Sequence, residues 1–340
     1  MHIFYTEKHN LHNTDQVMID GIPFVTEEVP QRAEIIRNAL LAANLGPMDA
    51  PTDHGIEPIL HVHTQDYVRY ISTVYNESAQ YYKTEAPVFP ETFASRNARR
   101  KPQTFLGLKG YYGFGTGTLI LKNTGKAAYW SVQCALSAAD CLPQGETAYA
   151  LCRPPGHHAG ADFYGGFCYF NNAAISARYL GGKVAILDID YHHGNGTQEI
   201  FYNDPLVLFC SIHAHPDDDY PFYWGETDEK GAGAGLGYNN NYPLPQGTDD
   251  STYIEILGKA LGIINDFRPR YLIVSAGFDI VRNDPVGGFN ITTEGLHEIG
   301  VRIANLHLPT LILQEGGYLL DRLGENAVAF LQAFSAGKSL

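Results

Sequence analysis

Three residues of this sequence have the types and spacing of an open metal site. Asp190 and His192 are two residues apart, which places both side chains on one side of an extended segment, and Asp279 follows a later apolar run. Two carboxylates and one imidazole leave a coordination position for water, as in catalytic zinc sites. Because the same ligands suit Fe(II), Mn(II) or Co(II), the sequence predicts a catalytic divalent metal, with zinc as the first choice.

A second group of polar residues is suited to moving protons beside such a metal. His157 and His158 follow a Pro-Pro-Gly turn, and imidazole exchanges protons near neutral pH. Asp188 and Asn195 are candidates to orient these rings. Tyr318, which follows two glycines, is a candidate donor to the oxyanion of a reacting carbonyl. These five residues form the predicted catalytic group.

Each motif is weak evidence when it is taken alone. An Asp-x-His segment more often belongs to an ordinary loop, and a His-His pair or a Glu-Gly-Gly-Tyr segment is more often structural. Two glycine-rich runs, 113–117 and 231–237, match neither common phosphate-binding pattern, which argues against nucleotide binding. The case for an enzyme therefore depends on several motifs meeting at one place.

The elements that precede these motifs predict that they do meet. Apolar runs of strand length alternate with segments of helical period, which is typical of a parallel sheet covered by helices on both faces. In open parallel sheets, ligands bind beyond the carboxyl ends of the strands. The metal and catalytic candidates, together with His213, follow five of the six predicted strands, all except the first. The predicted strands are 2–5, 148–152, 184–187, 206–212, 271–275 and 310–313.

The chain is predicted to be one α/β domain, residues 1–340, because no linker-like segment divides it. An open, doubly wound parallel sheet is the fold class expected from the residues alone. The segment 80–127 departs from the alternation and is predicted to be a long loop insertion. Helices are predicted at 31–43, 171–180, 251–267, 293–307 and 323–334.

Composition argues against several functional classes. The 340 residues include 23 Lys and Arg against 37 Asp and Glu, a formal net charge of −14, which argues against nucleic acid as a partner. No apolar run approaches the roughly 18 residues that span a bilayer. The first residues lack the features of a secretory signal, and the five cysteines form no CxxC pair. We therefore expect a cytoplasmic protein with reduced thiols.

Five motifs, in order along the chain, resemble those of the zinc-dependent histone deacetylase superfamily. Within it, the sequence is similar to the branch of bacterial acetylpolyamine amidohydrolases over nearly its whole length. The resemblance implies an arginase-deacetylase fold with a single parallel sheet of about eight strands. It also implies one Zn(II) on Asp190, His192 and Asp279. The motifs are 153–159, 166–172, 188–197, 276–285 and 315–318.

The resemblance also assigns roles within the catalytic group. It implies that His158 is the general base and acid, and that His157 is an electrostatic partner hydrogen-bonded to Asp188. Tyr318 is implied to donate a hydrogen bond in the transition state. Asn195 stands where many histone deacetylases have Asp, and a neutral partner is expected to keep the pKa of His158 lower.

A substrate tunnel with Gly166, Phe167 and Tyr220 at its walls is a further implication. In acetylpolyamine amidohydrolases the insertion shapes a narrow tunnel at a dimer interface and supplies acidic residues toward the substrate amines. This sequence has Leu106 and Gly117 at those positions, which leaves open a longer acyl chain or a different amine. A homo-oligomer, either a dimer or a tetramer, is expected.

Structural monovalent cations, K⁺ or Na⁺, are also implied by the resemblance. One site would use the Asp188 carboxylate, the Ser211 hydroxyl and nearby main-chain oxygens. Both sites depend on the resemblance alone. The residues of the first are Asp188, Asp190, His192, Ser211 and Ile212, and those of the second are Phe201, Asp204, Val207 and Tyr238.

The combined expectation is a zinc-dependent amidohydrolase that uses water to remove an acyl group, acetyl or longer, from a small cationic amine such as a polyamine. Deacylation of acyl-lysine in peptides or proteins is the alternative. A metal- or acyl-binding sensor is expected to lack a ligand or Tyr318, and neither is lost. A binuclear manganese ureohydrolase is disfavoured because the segment after Ser275 has only one carboxylate before Asp284.

Overall fold

The chain folds around one sheet of eight parallel strands, with a separate two-stranded hairpin. The computed structural model describes residues 1–14, 16–19, 22–95 and 100–336. The strands are β1 (His2–Phe4), β2 (Gln16–Ile19), β3 (Ile22–Val25), β4 (Met48–Asp49), β5 (Ala148–Ala150), β6 (Val184–Asp188), β7 (Val207–Ala214), β8 (Asn239–Leu244), β9 (Tyr271–Ala276) and β10 (Thr310–Gln314). The sheet order is β4-β1-β5-β10-β9-β6-β7-β8, and β2 pairs with β3. The predicted parallel α/β sheet is confirmed.

Helices cover both faces of the sheet because its strands are apolar on both sides. In β6, Ala185 and Leu187 pack into one apolar cluster, whereas Val184 and Ile186 pack into the opposite one. None of the helices in the described ranges has the length and apolar character needed to span a membrane. The helices are α1 (Gln31–Ala42), α2 (Glu57–Leu60), α3 (Gln65–Tyr82), α4 (Phe105–Tyr112), α5 (Thr124–Ala139), α6 (Asn172–Leu180), α7 (Asn195–Phe201), α8 (Asp250–Phe267), α9 (Thr293–Ala304) and α10 (Leu320–Ala336).

The strand order explains how distant motifs meet. Strands β5, β10, β9 and β6 are consecutive neighbours in the sheet and run in the same direction. Their carboxyl ends therefore lie side by side, although the chain visits them in a different order. The segments that follow these four ends carry the predicted metal and catalytic residues.

Two strands of the sheet and the hairpin were not predicted. β8 contains Asn239, Asn240, Asn241 and Pro243, which are poor strand formers. It forms at the edge of the sheet, where a proline without an N–H group is tolerated. β4 is only two residues long and forms the opposite edge. Such strands depend on pairing with the sheet rather than on local preference.

The segment 80–127 is not a loop throughout, contrary to the prediction. It contains the end of α3, all of α4 and the start of α5, while 96–99 lie outside the described residues. α3, α4 and α5 contribute to a third buried cluster that is rich in tyrosine. Tyr67, Ile71 and Val74 give α3 the helical apolar period that sequence analysis overlooked.

A buried ion network fastens the N-terminal part of the chain to the sheet. The Glu28 carboxylate is 2% exposed and accepts hydrogen bonds from Arg153 Nε at 2.8 Å and Arg32 Nη1 at 3.1 Å. Arg153 also donates to the carbonyl oxygens of His9 and His12. Although burial opposes ionisation of Glu28, the two guanidinium groups hold its pKa below the ordinary value.

Glu28→Gln is expected to lower the free energy of unfolding by about 3–5 kcal/mol, because it leaves buried guanidinium groups without a negative partner. Denaturant unfolding monitored by circular dichroism measures this loss. The matched control is Glu27→Gln, an exposed neighbour with the same charge change, for which we expect less than about 0.5 kcal/mol. Equal effects of the two substitutions would show that the buried network does not stabilise the fold.

Candidate metal centre and acid-base site

The three predicted metal ligands lie together at the carboxyl edge of the sheet. Asp190 and His192 follow β6, and Asp279 follows the neighbouring β9. All three side chains are buried, and one ligand atom from each lies within 4.8 Å of the others. His192 Nδ1 is 3.2 Å from Asp190 Oδ1 and 3.3 Å from Asp279 Oδ2. The three atoms therefore converge on one point.

Backbone groups hold the two carboxylates in place. The amide N–H groups of His192 and Tyr191 donate to Asp190 Oδ1 at 2.9 Å and to Asp279 Oδ1 at 3.0 Å. The Gly316 amide donates to Asp190 Oδ2 at 2.8 Å. A Cβ atom at Gly316 would lie 2.1 Å from Asp279 Oδ2, so only glycine permits this close approach. The first glycine of the Glu-Gly-Gly-Tyr motif thus donates a hydrogen bond to Asp190 and leaves room for Asp279.

A divalent cation fits this set of donors. Asp279 Oδ2 is buried and has no hydrogen-bond donor among the described residues. Burial and the adjacent Asp190 charge raise the pKa of Asp279 above its ordinary value. Two carboxylates with oxygens within 4.8 Å of each other in a buried site require a compensating positive charge. A divalent ion held by these oxygens and by His192 would supply that charge and satisfy the unpartnered oxygen.

His157 and His158 lie next to this cluster but have different surroundings. Their ring centroids are 4.0 Å apart, and both rings are buried. His157 Nδ1 is 3.1 Å from Asp188 Oδ2. Burial alone would lower the pKa of His157, but the Asp190 and Asp188 carboxylates raise it to about 10. His157 is therefore the cationic member of the pair.

His158 is the neutral member. Burial lowers its pKa well below the ordinary value, and the positive charge of His157 lowers it further. Its Nδ1 lies 2.7 Å from the Asn195 side-chain oxygen, which accepts a hydrogen bond from the Nδ1–H tautomer. Nε2 then keeps its lone pair. This arrangement suits a general base.

Tyr318 is held by contacts from two other parts of the chain. The Asp284 carboxylate accepts its backbone N–H at 2.7 Å. The Arg32 guanidinium lies 4.4 Å from the centre of the Tyr318 ring and donates to the carbonyl oxygens of Gly317 and Glu315 at 2.6 and 2.7 Å. Glu315 in turn accepts the backbone N–H of Gly156 at 2.7 Å. The tyrosine loop is thus tied to the loop that carries the two histidines.

One cavity of about 420 Å³ opens onto these groups, and we call it the site cavity. Eight of the site residues predicted from the sequence line this cavity: Gly117, His157, His158, Gly166, Phe167, His192, Tyr220 and Tyr318. Phe167 has a left-handed backbone, with φ of 66°, and its N–H donates to the Thr118 hydroxyl at 3.0 Å. The Tyr220 ring packs edge-on against His158 at 5.0 Å. Aromatic side chains therefore form walls beside the acid-base pair.

Two predicted residues do not line this cavity. Leu106 lies on α4, is 42% exposed, and is absent from the cavity walls. His213 lies within β7, where its Nε2 contacts the Gly225 carbonyl oxygen at 3.0 Å. The prediction that all five strand ends supply a site residue directly is therefore wrong for His213. The loop after β7 contributes Tyr220 instead.

The predicted monovalent cation residues lie at two places near the sheet. At the first, Asp188 Oδ1 accepts the backbone N–H of Asp190 at 3.1 Å, and the Ser211 hydroxyl contacts His213 Nδ1 at 2.8 Å. At the second, the carbonyl oxygens of Phe201 and Tyr238 accept backbone hydrogen bonds, and the Asp204 carboxylate accepts from Arg178. Ile212 and Val207 lie within β7. Both cation sites stay predictions.

Sequence reasoning missed several residues at or behind the cavity. Met18, Thr116, Asp219, Phe222 and Val286 line it, while Arg32, Asp284 and Glu315 position the tyrosine loop. Glu315 and Asp284 belong to motifs that were recognised in the sequence. The sequence did not show that their carboxylates are buried and accept backbone hydrogen bonds. Arg32 gave no local signal, because its partner Gly317 is 285 positions away.

The fold and the site define the class of protein. Residues 26–334 match the histone deacetylase domain, and the chain belongs to the histone deacetylase family. Acetylpolyamine amidohydrolase 2 of Pseudomonas aeruginosa is 41% identical over 336 residues, which cover 97% of each chain. The acetylpolyamine amidohydrolase of Burkholderia pseudomallei is 41% identical over 340 residues, covering 98% of each.

A solved structure extends the similarity to the fold. The crystal structure of the acetylpolyamine aminohydrolase from Burkholderia pseudomallei superposes with a TM-score of 0.94 and covers 99% of both chains at 41% identity. The predicted family and the arginase-deacetylase fold are therefore confirmed.

Asp279→Asn is expected to weaken zinc binding by at least about 100-fold, because even changes beyond the direct ligands cost 10–100-fold. Competition with a chromophoric chelator, together with elemental analysis after dialysis, measures the effect. Asp266→Asn, an exposed residue with the same change of charge, is the control. Wild-type zinc affinity in Asp279→Asn would exclude Asp279 as a ligand.

Proposed function

We propose that this protein is a zinc-dependent amidohydrolase that removes an acyl group, acetyl or longer, from N-acylated polyamines. One observation carries the proposal. A cluster of two carboxylates and an imidazole, a histidine with a lowered pKa and a buried tyrosine lie at a single cavity, in a chain that is 41% identical to acetylpolyamine amidohydrolases over at least 97% of its length.

Asp190, His192 and Asp279 would hold the zinc ion. When bound, a divalent ion supplies Lewis acidity that polarises an amide carbonyl and makes water a better nucleophile. The protein's contribution begins with rigidity, because backbone amides fix both carboxylates before any ion binds. Such preorganisation avoids a cost of rearrangement during the reaction.

His158 carries the proton. Its low pKa keeps it neutral, and Asn195 directs its Nδ1–H away from the cavity, so that Nε2 accepts a proton from the attacking water. The same nitrogen then donates a proton to the leaving amine. His157 lies beside Asp188, which favours its protonated form, and its positive charge would stabilise the negative charge that develops on oxygen at the reaction centre.

Tyr318 donates a hydrogen bond from its phenol to the developing oxyanion. Burial raises its pKa well above the ordinary value, so the phenol stays protonated at neutral pH. Arg32 and Asp284 fix the loop that carries it. Phe167 and Tyr220 give the cavity apolar walls suited to the aliphatic part of an acyl amine.

The test of this function is kcat/KM of the zinc-loaded protein on matched substrates. Acyl length is varied on one polyamine, and the amine is then varied with the acyl group fixed. We expect acylpolyamines to be hydrolysed at least about tenfold more efficiently than acyl-lysine peptides, a difference of about 1.4 kcal/mol in transition-state stabilisation. Equal or better hydrolysis of the peptides would favour the acyl-lysine alternative instead.

Tyr318→Phe is expected to lower kcat by about 10²–10³ with little change in KM, because the lost hydrogen bond forms mainly in the transition state. Steady-state kinetics on the preferred acylpolyamine measure the effect. Tyr223→Phe, which removes a hydroxyl from a tyrosine that is 77% exposed, is the control. A near-normal kcat in Tyr318→Phe would remove this residue from the mechanism.

Three further expectations belong to the same proposal. The chain acts as one catalytic domain in which the segment 80–127 shapes the cavity entrance. It assembles as a homo-oligomer, and it binds structural K⁺ or Na⁺. The position of Gly115, Thr116, Gly117 and Thr118 in the cavity wall supports a role of this segment at the entrance.

A further inference from the structure

A single acidic side chain faces the site cavity among the described residues that line it. This residue is Asp219, which lies in the loop after β7 directly before Tyr220. The same set of lining residues includes no Lys and no Arg. Asp219 belongs to none of the motifs that predicted the metal and acid-base groups, so its carboxylate has no part in the mechanism described above.

The Asp219 carboxylate is fixed by two neutral donors. Its Oδ2 accepts a hydrogen bond from the Tyr191 hydroxyl at 2.9 Å, and its Oδ1 accepts the backbone N–H of Tyr220 at 2.8 Å. Each oxygen keeps a further lone pair for another donor. The side chain is half-buried, so part of its solvation is already lost. A half-buried carboxylate with only neutral partners favours a cation at the cavity wall.

The carboxylate is also rigidly placed relative to the reacting groups. Tyr191, which donates to it, is fully buried, and its backbone N–H binds the predicted metal ligand Asp279. Tyr220, the residue after Asp219, packs its ring against His158. Asp219 therefore lies in the part of the cavity wall that contacts the proposed general base, and its contacts hold it in place.

The surroundings of Asp219 extend the negative charge toward solvent. Asp217 and Asp218 precede it and are exposed. Three successive carboxylates give the start of this loop a negative potential that raises the local concentration of cations. Of the three, only Asp219 lines the cavity.

We infer that Asp219 binds an ammonium group of the substrate amine and so selects cationic N-acyl amines over neutral ones. The inference rests on the proposed hydrolysis of acylpolyamines and names the residue that recognises their charge. At the two insertion positions where the resemblance implied carboxylates, this chain has Leu106, which lies outside the cavity, and Gly117, which has no side chain. In this chain, the loop after β7 supplies the negative charge from a different side.

The experiment compares two amides that differ in one ammonium group. N-acetyl-1,4-diaminobutane and N-butylacetamide share the acyl group and the four-carbon chain. Their kcat/KM values are measured with the zinc-loaded wild type and with Asp219→Asn, which keeps the shape of the side chain and removes its charge. We expect the ratio of the cationic to the neutral substrate to fall by about tenfold or more in the variant. The preference of the wild type for the cationic substrate should shrink at high salt, because screening weakens a partly exposed ion pair.

Asp218→Asn is the matched control, since it removes the same charge from the exposed neighbouring position. The ratio in this control should fall much less than in Asp219→Asn, because Asp218 does not line the cavity. An unchanged ratio in Asp219→Asn, or an equal loss in Asp218→Asn, would overturn the inference while leaving the proposed function intact. Thermal unfolding of each variant establishes that the fold is retained.

A separate measurement keeps the two proposals distinguishable. If the wild type hydrolyses acyl-lysine peptides in preference to acylpolyamines, the proposed function fails. Calorimetric titration of the zinc-loaded proteins with 1,4-diaminobutane then tests Asp219 without turnover. Weaker binding to Asp219→Asn than to Asp218→Asn would support the cation site, and equal binding would exclude it.

Discussion

Two buried carboxylates placed side by side are the constraint on which the rest of the site depends. Asp190 and Asp279 follow neighbouring strands, and both lack solvent that could screen their repulsion. Three backbone N–H groups from two segments point at them, and glycine at 316 leaves room for this approach. Because such an arrangement is costly without a cation, a bound divalent ion would stabilise this part of the fold.

Nearby charges also shift the pKa values of two adjacent histidines in opposite directions. His157 lies beside Asp188 and close to Asp190, which favour its protonated form, whereas His158 faces a neutral Asn195 and neighbouring positive charge. The residues are chemically identical and consecutive in sequence. The opposite shifts of their pKa values therefore come from partners elsewhere in the chain, on β6 and α7.

Stability and activity share one set of buried contacts. Glu28 pairs with Arg153, which precedes the histidine loop, and with Arg32, which holds the carbonyl oxygens of the tyrosine loop. The network joins α1, the β5 end and the β10 end. We therefore expect a change in this network to alter both the stability of the N-terminal segment and the position of Tyr318.

The sequence by itself determined the parallel sheet, the family, and candidate metal and acid-base residues, because apolar runs, strand ends and short motifs are local features. It did not reveal β8, whose Asn-rich segment forms a strand only at the sheet edge, or the helices inside the segment 80–127. The tertiary structure alone decided that Asp219 lines the cavity, that Leu106 does not, and that Arg32 holds the tyrosine loop. These outcomes depend on the spatial order of strands and on contacts between residues far apart in sequence, which local composition and periodicity do not encode.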